Sequence, residues 1–168
     1  DTVSFANVSF DAGTSLYVNL DQQQLLESDS RVASNFVLGG VTNYAKFMGI
    51  ENVIGSSGSD SIVGDAQANR LEGGAGNDTL NGGDGNDTIA TDGDDVPVAL
   101  QGDDLAHGDL GNDYIRGYAG NDQLYGDAGN DSIHGEAGND AIDGGTEIDW
   151  IDGGEGNDSI FGGDGDDG

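Results

Sequence analysis

A nine-residue repeat covers most of this chain and constrains its fold more than any other feature. Residues 108–161 are six consecutive units, which read GDLGNDYIR, GYAGNDQLY, GDAGNDSIH, GEAGNDAID, GGTEIDWID and GGEGNDSIF. Further units run from 55 to 90, and the tripeptide Gly-Asn-Asp recurs seven times in phase. Each unit follows the pattern G-G-x-G-x-D-x-U-x, in which U is a large aliphatic residue. This pattern predicts an all-β fold, a parallel β-helix built from stacked turns and short strands.

The last three residues of each unit are predicted to form a strand with one buried side chain. Neighbours along a strand face opposite sides, so an aliphatic residue at position 8 points inward while positions 7 and 9 face solvent. The position-8 residues are Ile62, Leu71, Leu80, Ile89, Ile115, Leu124, Ile133, Ile142, Ile151 and Ile160. One aliphatic side chain per unit makes a thin core, so stability must come from another source as well.

The first six residues of each unit carry the groups that bind a hard cation. Glycine tolerates positive φ and a close approach of backbones, so the turn can be tight and leaves carbonyl oxygens facing inward. An Asp at position 6 adds a charged oxygen, and two stacked turns together supply the six to eight oxygens that Ca²⁺ prefers. The predicted carboxylate ligands are Asp60, Asp78, Asp87, Asp95, Asp104, Asp113, Asp122, Asp131, Asp140, Asp149, Asp158 and Asp167. The predicted carbonyl ligands belong to Gly74, Gly76, Gly83, Gly85, Gly111, Gly120, Gly129, Gly138, Gly145, Gly154 and Gly156.

The charge of the chain is concentrated in the repeat. The formal net charge is −29, from 33 acidic residues and four of Lys and Arg. Residues 55–168 hold 27 of the acids with Arg70 and Arg116, a net of −25, and residues 1–54 hold the remaining −4. Self-repulsion of this size opposes a compact state. Without a cation, residues 55–168 are therefore expected to be disordered, and with calcium they are expected to fold.

Residues 55–168 resemble the RTX (repeats-in-toxin) family of exported bacterial proteins. The resemblance implies a right-handed parallel β-roll, in which two nonapeptides make one coil and calcium lies between turns that are two repeats apart. It implies two rows of ligands. The first is Asp60, Asp78, Asp95, Asp113, Asp131, Asp149 and Asp167, and the second is Asn69, Asp87, Asp104, Asp122, Asp140 and Asp158. Intact neighbouring units then predict on the order of 6–10 calcium sites.

Three places depart from the repeat. Asn69 replaces an Asp, and Glu147 stands where a position-4 glycine is expected. The stretch 91–107 departs most, because it is one residue short of two units and has Pro97 and Ala106 where large aliphatic residues belong. We expect at least one missing or poorly occupied calcium site there.

Residues 1–54 differ in kind and hold Phe5, Phe10, Tyr17, Phe36, Tyr44 and Phe47. Short apolar and alternating runs predict a β-rich segment that continues the roll as an amino-terminal cap, because a solenoid's open end needs covering. The chain shows neither an initiator Met nor a transmembrane run, and it stops inside a repeat unit. It is therefore expected to be a segment of a larger protein.

Composition excludes several classes of function. A net charge of −29 without a basic patch disfavours nucleic acid, and the lack of cysteine excludes disulfides. His107 and His134 fall at position 9, where an exposed surface role is expected, so we expect no catalytic site in this segment. A catalytic domain elsewhere in the parent protein remains open.

Three functions follow from the resemblance. The first is a calcium-folded structural and export module, which leaves a bacterium by type I secretion and acts outside the cell or on its surface. The second is a carbohydrate- or surface-binding module, for which Tyr114, Arg116, His134 and Trp150 would share one outer sheet, and Tyr125 and Phe161 the other. The third, ice binding, is disfavoured because only Thr146 places a threonine at position 3.

Overall fold

The computed structural model describes residues 2–4, 17–19, 52–55, 58–93 and 101–168. Within these ranges the chain forms fourteen strands and no helix. They are β1 (Thr2–Ser4), β2 (Tyr17–Asn19), β3 (Asn52–Ile54), β4 (Ser61–Val63), β5 (Arg70–Gly74), β6 (Thr79–Asp84), β7 (Thr88–Asp92), β8 (Leu105–Leu110), β9 (Tyr114–Arg116), β10 (Gln123–Tyr125), β11 (Ser132–His134), β12 (Ala141–Thr146), β13 (Trp150–Asp152) and β14 (Ser159–Asp164).

Successive strands alternate between two parallel sheets. The odd-numbered strands form one seven-stranded sheet in the order β1-β3-β5-β7-β9-β11-β13, and the even-numbered strands form the other. We call them the odd sheet and the even sheet. Two units therefore make one coil, and residues 18 apart pair, as Ile133 does with Ile151. The result is a parallel β-solenoid of about six turns, which confirms the predicted all-β architecture.

The core is a single column of aliphatic side chains from each sheet. The position-8 residues from Ile62 to Ile133 are fully buried, and Ile142 is nearly so. Flanking positions 7 and 9 are less buried, as in β9 and β10, where only the central residue is buried. The predicted inward face is thereby confirmed. Ile151 is only partly buried and Ile160 is 50% exposed, because β13 and β14 are the last strands of the odd and even sheets.

The irregular stretch changes the register without interrupting the sheets. Ile89 in β7 pairs with Ile115 in β9, and Leu80 in β6 pairs with Ala106 in β8, so both separations are 26 residues rather than 18. Ala106 is fully buried and fills position 8 of its strand. Strands β7 and β8 are thus consecutive rungs, and eight additional residues (26 − 18) lie in the connection between them.

This register corrects the predicted ligand rows. Counting two units through 91–107 placed Asp95 between Asp78 and Asp113, and Asp104 between Asp87 and Asp122, which is wrong. Asp78 instead lies beside Asp104, and Asp87 beside Asp113. Ala106 in β8 pairs with Leu80 and so takes the position that the count had given to Pro97, a residue without an N–H to donate to a ladder. Asp95 and Pro97 themselves lie outside the described residues.

Within the amino-terminal segment 1–54, the structure describes strands β1, β2 and β3. Strand β1 pairs with β3, and β2 pairs with β4, both in parallel. They therefore extend the odd and even sheets by one rung each. The residues of the predicted cap outside these three strands lie outside the described residues, and they include all its aromatic residues except Tyr17. Only the backbone of Tyr17 is described.

Candidate metal sites

The position-6 residues form two columns, one on each edge of the solenoid. Each residue except Asp167 directly precedes a strand, so the stacking of strands also stacks these side chains. The first row is Asp60, Asp78, Asp104, Asp122, Asp140 and Asp158, and it precedes even strands β4 to β14. The second row is Asn69, Asp87, Asp113, Asp131, Asp149 and Asp167, on the opposite edge. All but the last Asp of each row, Asp158 and Asp167, are at most 4% exposed.

In every Asp of the two rows except Asp60, one carboxylate oxygen links the residue to the preceding coil. The backbone N–H of Asp113 donates to Oδ1 of Asp131 at 2.8 Å, and Asp131 donates in turn to Asp149 at 2.9 Å. The same bond recurs along both rows, and all its distances lie between 2.6 and 3.1 Å. Each Oδ1 therefore has a structural function, which sequence reasoning missed because the repeat shows only that an Asp is present.

The other carboxylate oxygen is buried and unsatisfied. Oδ2 has no hydrogen-bond partner among the described residues in eight members of the two rows. They are Asp78, Asp87, Asp104, Asp113, Asp122, Asp131, Asp140 and Asp149. A buried charged oxygen without a partner costs several kcal/mol, so a native protein pairs such a group with a cation. The orphaned oxygens thus fit the calcium ligands that the sequence predicts.

Glycine leaves an oxygen-lined space beside each of these carboxylates. A Cβ on Gly126, at position 1, would clash with Oδ2 of Asp131 and with the carbonyl oxygen of Gly144 in the next coil. The equivalent Cβ on Gly135 would clash with Oδ2 of Asp140 and, at 2.6 Å, with the carbonyl oxygen of Gly153. Side chains are therefore excluded from a space that carboxylate and carbonyl oxygens line together.

The turn hydrogen bonds distinguish the available carbonyls. At position 2, the carbonyl oxygen of Tyr118 accepts the N–H of Ala137 at 2.8 Å, and that of Asp127 accepts Thr146 N–H at 2.9 Å. In the turns between 117 and 156, the carbonyls at position 4 are not among these acceptors. The predicted position-4 ligands, such as Gly120 and Gly138, are thus better placed to bind a cation than the predicted position-2 ligands, such as Gly145.

Backbone conformation shows why position 4 favours glycine. Gly111, Gly129 and Gly138 have φ of 143°, 144° and 155°. Glu147, the departure seen in the sequence, occupies the same position with φ of 77°. A left-handed conformation costs a residue with a Cβ roughly 1–2 kcal/mol, so Glu147 is a local cost and not a break in the coil.

Burial raises the pKa of the eight row carboxyls that have an orphaned Oδ2 above their ordinary value. The pKa of Asp78 is raised to about 9 and that of Asp122 to about 8, by desolvation first and then by charges of neighbouring row members. Asp113 is raised to about 7 for the same reasons, although the Asp87 backbone hydrogen bond opposes the shift. Without metal, the folded rows therefore hold protons that a bound cation must displace.

Calcium binding is accordingly expected to weaken as the pH falls from 8 to 5. A raised pKa stabilises the metal-free fold below the unfolded value of 3.8, and that contribution is lost as the pH rises through the folded values of about 6 to 9. Acid should thus give the metal-free chain some β-structure while raising the calcium concentration needed at half-saturation. Calcium titrations followed by circular dichroism at several pH values measure both, and a midpoint independent of pH would contradict the expectation.

Two other groups of side chains lie outside the rows. The ligand atoms of His107, Asp109 and Asp127 fall within 4.8 Å of one another on the surface of the even sheet, where His107 Nδ1 is 2.8 Å from Asp127 Oδ2. His107 also stacks on Tyr125 with a centroid distance of 4.5 Å. His107 therefore faces outward, as the sequence predicted, but it is paired with neighbouring surface side chains, which the sequence did not reveal.

The position-5 residues form a further column that the sequence did not reveal. Oδ1 of Asn121 accepts the N–H of Asn139, and Oδ1 of Asn139 accepts the N–H of Asn157, at 3.1 and 3.0 Å. These bonds are exposed and join the same coils as the Asp bonds. The repeated Gly-Asn-Asp was the sequence signal of this column, because a coil that is bonded to its neighbours at positions 5 and 6 needs both the Asn and the Asp.

Comparison with known families identifies the repeat. The RTX calcium-binding nonapeptide repeat (4 copies) matches residues 54–89, 89–124, 98–133, 116–149 and 143–168. These matches span 54–168, well over half of the chain, so the chain belongs to the RTX calcium-binding repeat family. The repeat region is therefore a calcium-binding module and not a catalytic one. No curated protein matches the chain. Among the described residues, no helix is long and apolar enough to span a membrane.

Proposed function

We propose that this chain is a segment of a larger secreted or cell-surface bacterial protein, in which it folds on binding calcium and serves as a structural and export module. The observation that carries the proposal is the pair of Asp rows, each with buried Oδ2 atoms that lack a partner. The coil is right-handed, the usual hand of parallel crossovers, and residues 1–54 cap its first turn.

The corrected rows support the proposed calcium count. The first row has five successive Asp pairs, and the second has four together with the Asn69–Asp87 pair. Each pair would bind one ion through Oδ2 and through carbonyls at position 4 and position 1, which gives about 6–10 ions. The Asn69 site is the weakest, because Oδ1 of Asn69 accepts the N–H of Asp65 in its own turn and the amide contributes no charge.

A module of this kind should stay unfolded where calcium is scarce and fold where it is abundant. Extracellular calcium modules have dissociation constants near 10⁻⁴–10⁻³ M. We therefore expect the midpoint of calcium-induced folding in that range, measured by circular dichroism with buffered calcium. A midpoint below about 10⁻⁶ M would mean folding inside the cell and would contradict the export role.

Carbohydrate binding is the second candidate, favoured by one strip of the odd sheet. As predicted, Tyr114, His134 and Trp150 lie side by side on β9, β11 and β13, with ring centroids 5.2 and 4.8 Å apart. Trp150 is 49% exposed and Tyr114 is 38% exposed. Exposed rings in a row suit stacking on sugar rings, and a glycan array in calcium, repeated with Trp150→Ala, tests this. Glycan binding that Trp150→Ala abolishes would support carbohydrate binding. An array to which the chain does not bind would contradict it, and the structural role would then be the one function proposed.

A further inference from the structure

A cluster of three metal-ligating side chains lies on the surface of the even sheet, outside both Asp rows. A ring nitrogen of His107 and one carboxylate oxygen from each of Asp109 and Asp127 lie within 4.8 Å of one another. Among the described residues, this is the one group of three or more such side chains whose ligand atoms come this close together. The calcium-binding pattern of the repeat assigns none of these three side chains a function.

The stacking of two successive coils assembles the cluster. His107 and Asp109 both belong to β8, and Asp127 directly follows the end of β10 by two residues. His107 pairs with Tyr125 in the parallel register of β8 and β10. The carbonyl oxygen of Asp109 accepts the N–H of Ala128 at 2.9 Å, so Asp127 is stacked on Asp109. The three ligand atoms therefore come together only in the folded solenoid.

The imidazole of His107 is held in one orientation by its neighbours. Its Nδ1 is 2.8 Å from Oδ2 of Asp127. Its ring stacks on that of Tyr125, with centroids 4.5 Å apart and an angle of 6° between the ring planes. A side chain that is already ordered loses less conformational entropy when it binds a ligand. His107 is thus pre-organised beside the two carboxylates.

The equivalent place on the odd sheet has a different balance of charge. There Arg116 at position 9 takes the place of His107, and its Nε donates to Oε1 of Glu136 at 2.7 Å. The residue equivalent to Asp109 is Tyr118, which carries no carboxylate. One permanent cation therefore faces one carboxylate on the odd sheet. On the even sheet one imidazole faces two carboxylates and offsets at most one of their charges, so the cluster lacks positive charge that a divalent cation would supply.

We propose that His107, Asp109 and Asp127 bind one divalent transition-metal ion of the zinc type on the surface of the even sheet. Zinc binds imidazole nitrogen and carboxylate oxygen at about 2.0–2.2 Å, and a site with three protein ligands keeps its fourth position for water. Calcium takes oxygen ligands, so the imidazole separates this site chemically from the Asp rows. The inference goes beyond the proposed calcium function and needs it only for the folded coils that assemble the cluster.

Zinc titration of the calcium-saturated chain, followed by calorimetry, tests the proposal. Excess calcium keeps the Asp rows filled while zinc is added. We expect the parent chain to bind one Zn²⁺ ion, and His107→Gln to bind it at least about tenfold more weakly, because the loss of a ligand costs no less than the loss of a group that orients one. His134→Gln is the matched control. His134 also occupies position 9, but its neighbours are the rings of Tyr114 and Trp150, so its zinc affinity should equal that of the parent.

Proton NMR of the parent chain locates the bound zinc without any substitution. The ring signals of His107, assigned through their proximity to Tyr125, should shift as zinc is added, and those of His134 should not. A folded parent chain that binds no zinc, or whose zinc binding survives His107→Gln unchanged, would overturn the metal site and leave the calcium function intact. A chain that stays unfolded in calcium would overturn the calcium function, and the cluster with it, because only stacked coils bring the three ligands together.

Discussion

In excess EDTA, the far-UV circular dichroism spectrum of this chain is expected to be that of a coil, and millimolar calcium is expected to restore the β-sheet signal. The core consists of one aliphatic side chain per strand, and Ala106 leaves one rung smaller still. Against this thin core stand eight row carboxylates with an orphaned buried oxygen. Without the cation, the folded state bears the cost of burying these carboxylates and of their mutual repulsion. The free energy of folding is then expected to become unfavourable.

The same calcium dependence is expected in the size of the chain, measured by small-angle scattering, and magnesium serves as the comparison cation. The EDTA-treated chain should have the radius of gyration of an expanded coil, and calcium should compact it. Magnesium should substitute poorly, because it requires near-octahedral geometry at shorter distances and dehydrates reluctantly. A chain that is compact and β-structured at neutral pH in EDTA would show that the aliphatic column is sufficient, and would refute the metal-dependent fold.

Asp131→Ala is expected to remove more calcium and more stability than Asp60→Ala. Asp131 lies between Asp113 and Asp149, so its Oδ2 is available to the sites on both sides. Its loss also deprives the N–H of Asp113 of its acceptor, which costs about 1–3 kcal/mol in a buried site. Asp60 is the first member of its row and pairs with Asp78 alone among the row members. In a solenoid, an interior defect breaks two interfaces and an end defect one.

Calorimetric titration of both variants beside the parent chain measures this difference. We expect two calcium ions fewer for Asp131→Ala and one fewer for Asp60→Ala, with a correspondingly larger fall in thermal midpoint for Asp131→Ala. Glu136→Ala serves as the control, since Glu136 lies outside the rows and pairs with Arg116 on the surface. Equal losses at Asp131 and Asp60 would contradict the assignment of calcium to stacked pairs.

The phase of the repeat was sufficient to predict the strands, their inward residues and the edge on which the Asp side chains lie. This worked because side-chain direction alternates along a strand and identical units stack in register. The pairing across 91–107 could not be predicted in the same way. Counting residues cannot show whether a degraded unit forms a strand of the sheet or lengthens the connection between two strands. The outcome depended on whether Ala106 could occupy the buried position of a strand, as it does in β8. The hydrogen bond that Oδ1 accepts could not be predicted either, because it joins residues of two different coils and depends on how those coils stack.

Sequence reasoning also missed the burial of Asp92, whose side chain is 0% exposed. It falls in the degraded unit 91–98, in which the sequence assigned a ligand function to Asp95 alone. Its burial follows from β7 extending to Asp92 and pairing with Gly74, which only the three-dimensional register reveals. A carboxylate is exposed by default, so no local sequence signal distinguishes Asp92 from the exposed acids around it.

The two columns of side-chain bonds run in opposite directions. In the Asp column the earlier coil donates to the later one, as Asp122 does to Asp140, whereas in the Asn column the later coil donates to the earlier one, as Asn139 does to Asn121. The face that a coil presents to its successor is therefore complementary to the face that it presents to its predecessor. A coil of 18 residues can be duplicated or deleted inside the regular part of the array while the strand pairing and the Asp and Asn bonds between the remaining coils keep the same geometry. The length of such a rod is thus open to change by recombination without any redesign of its interfaces.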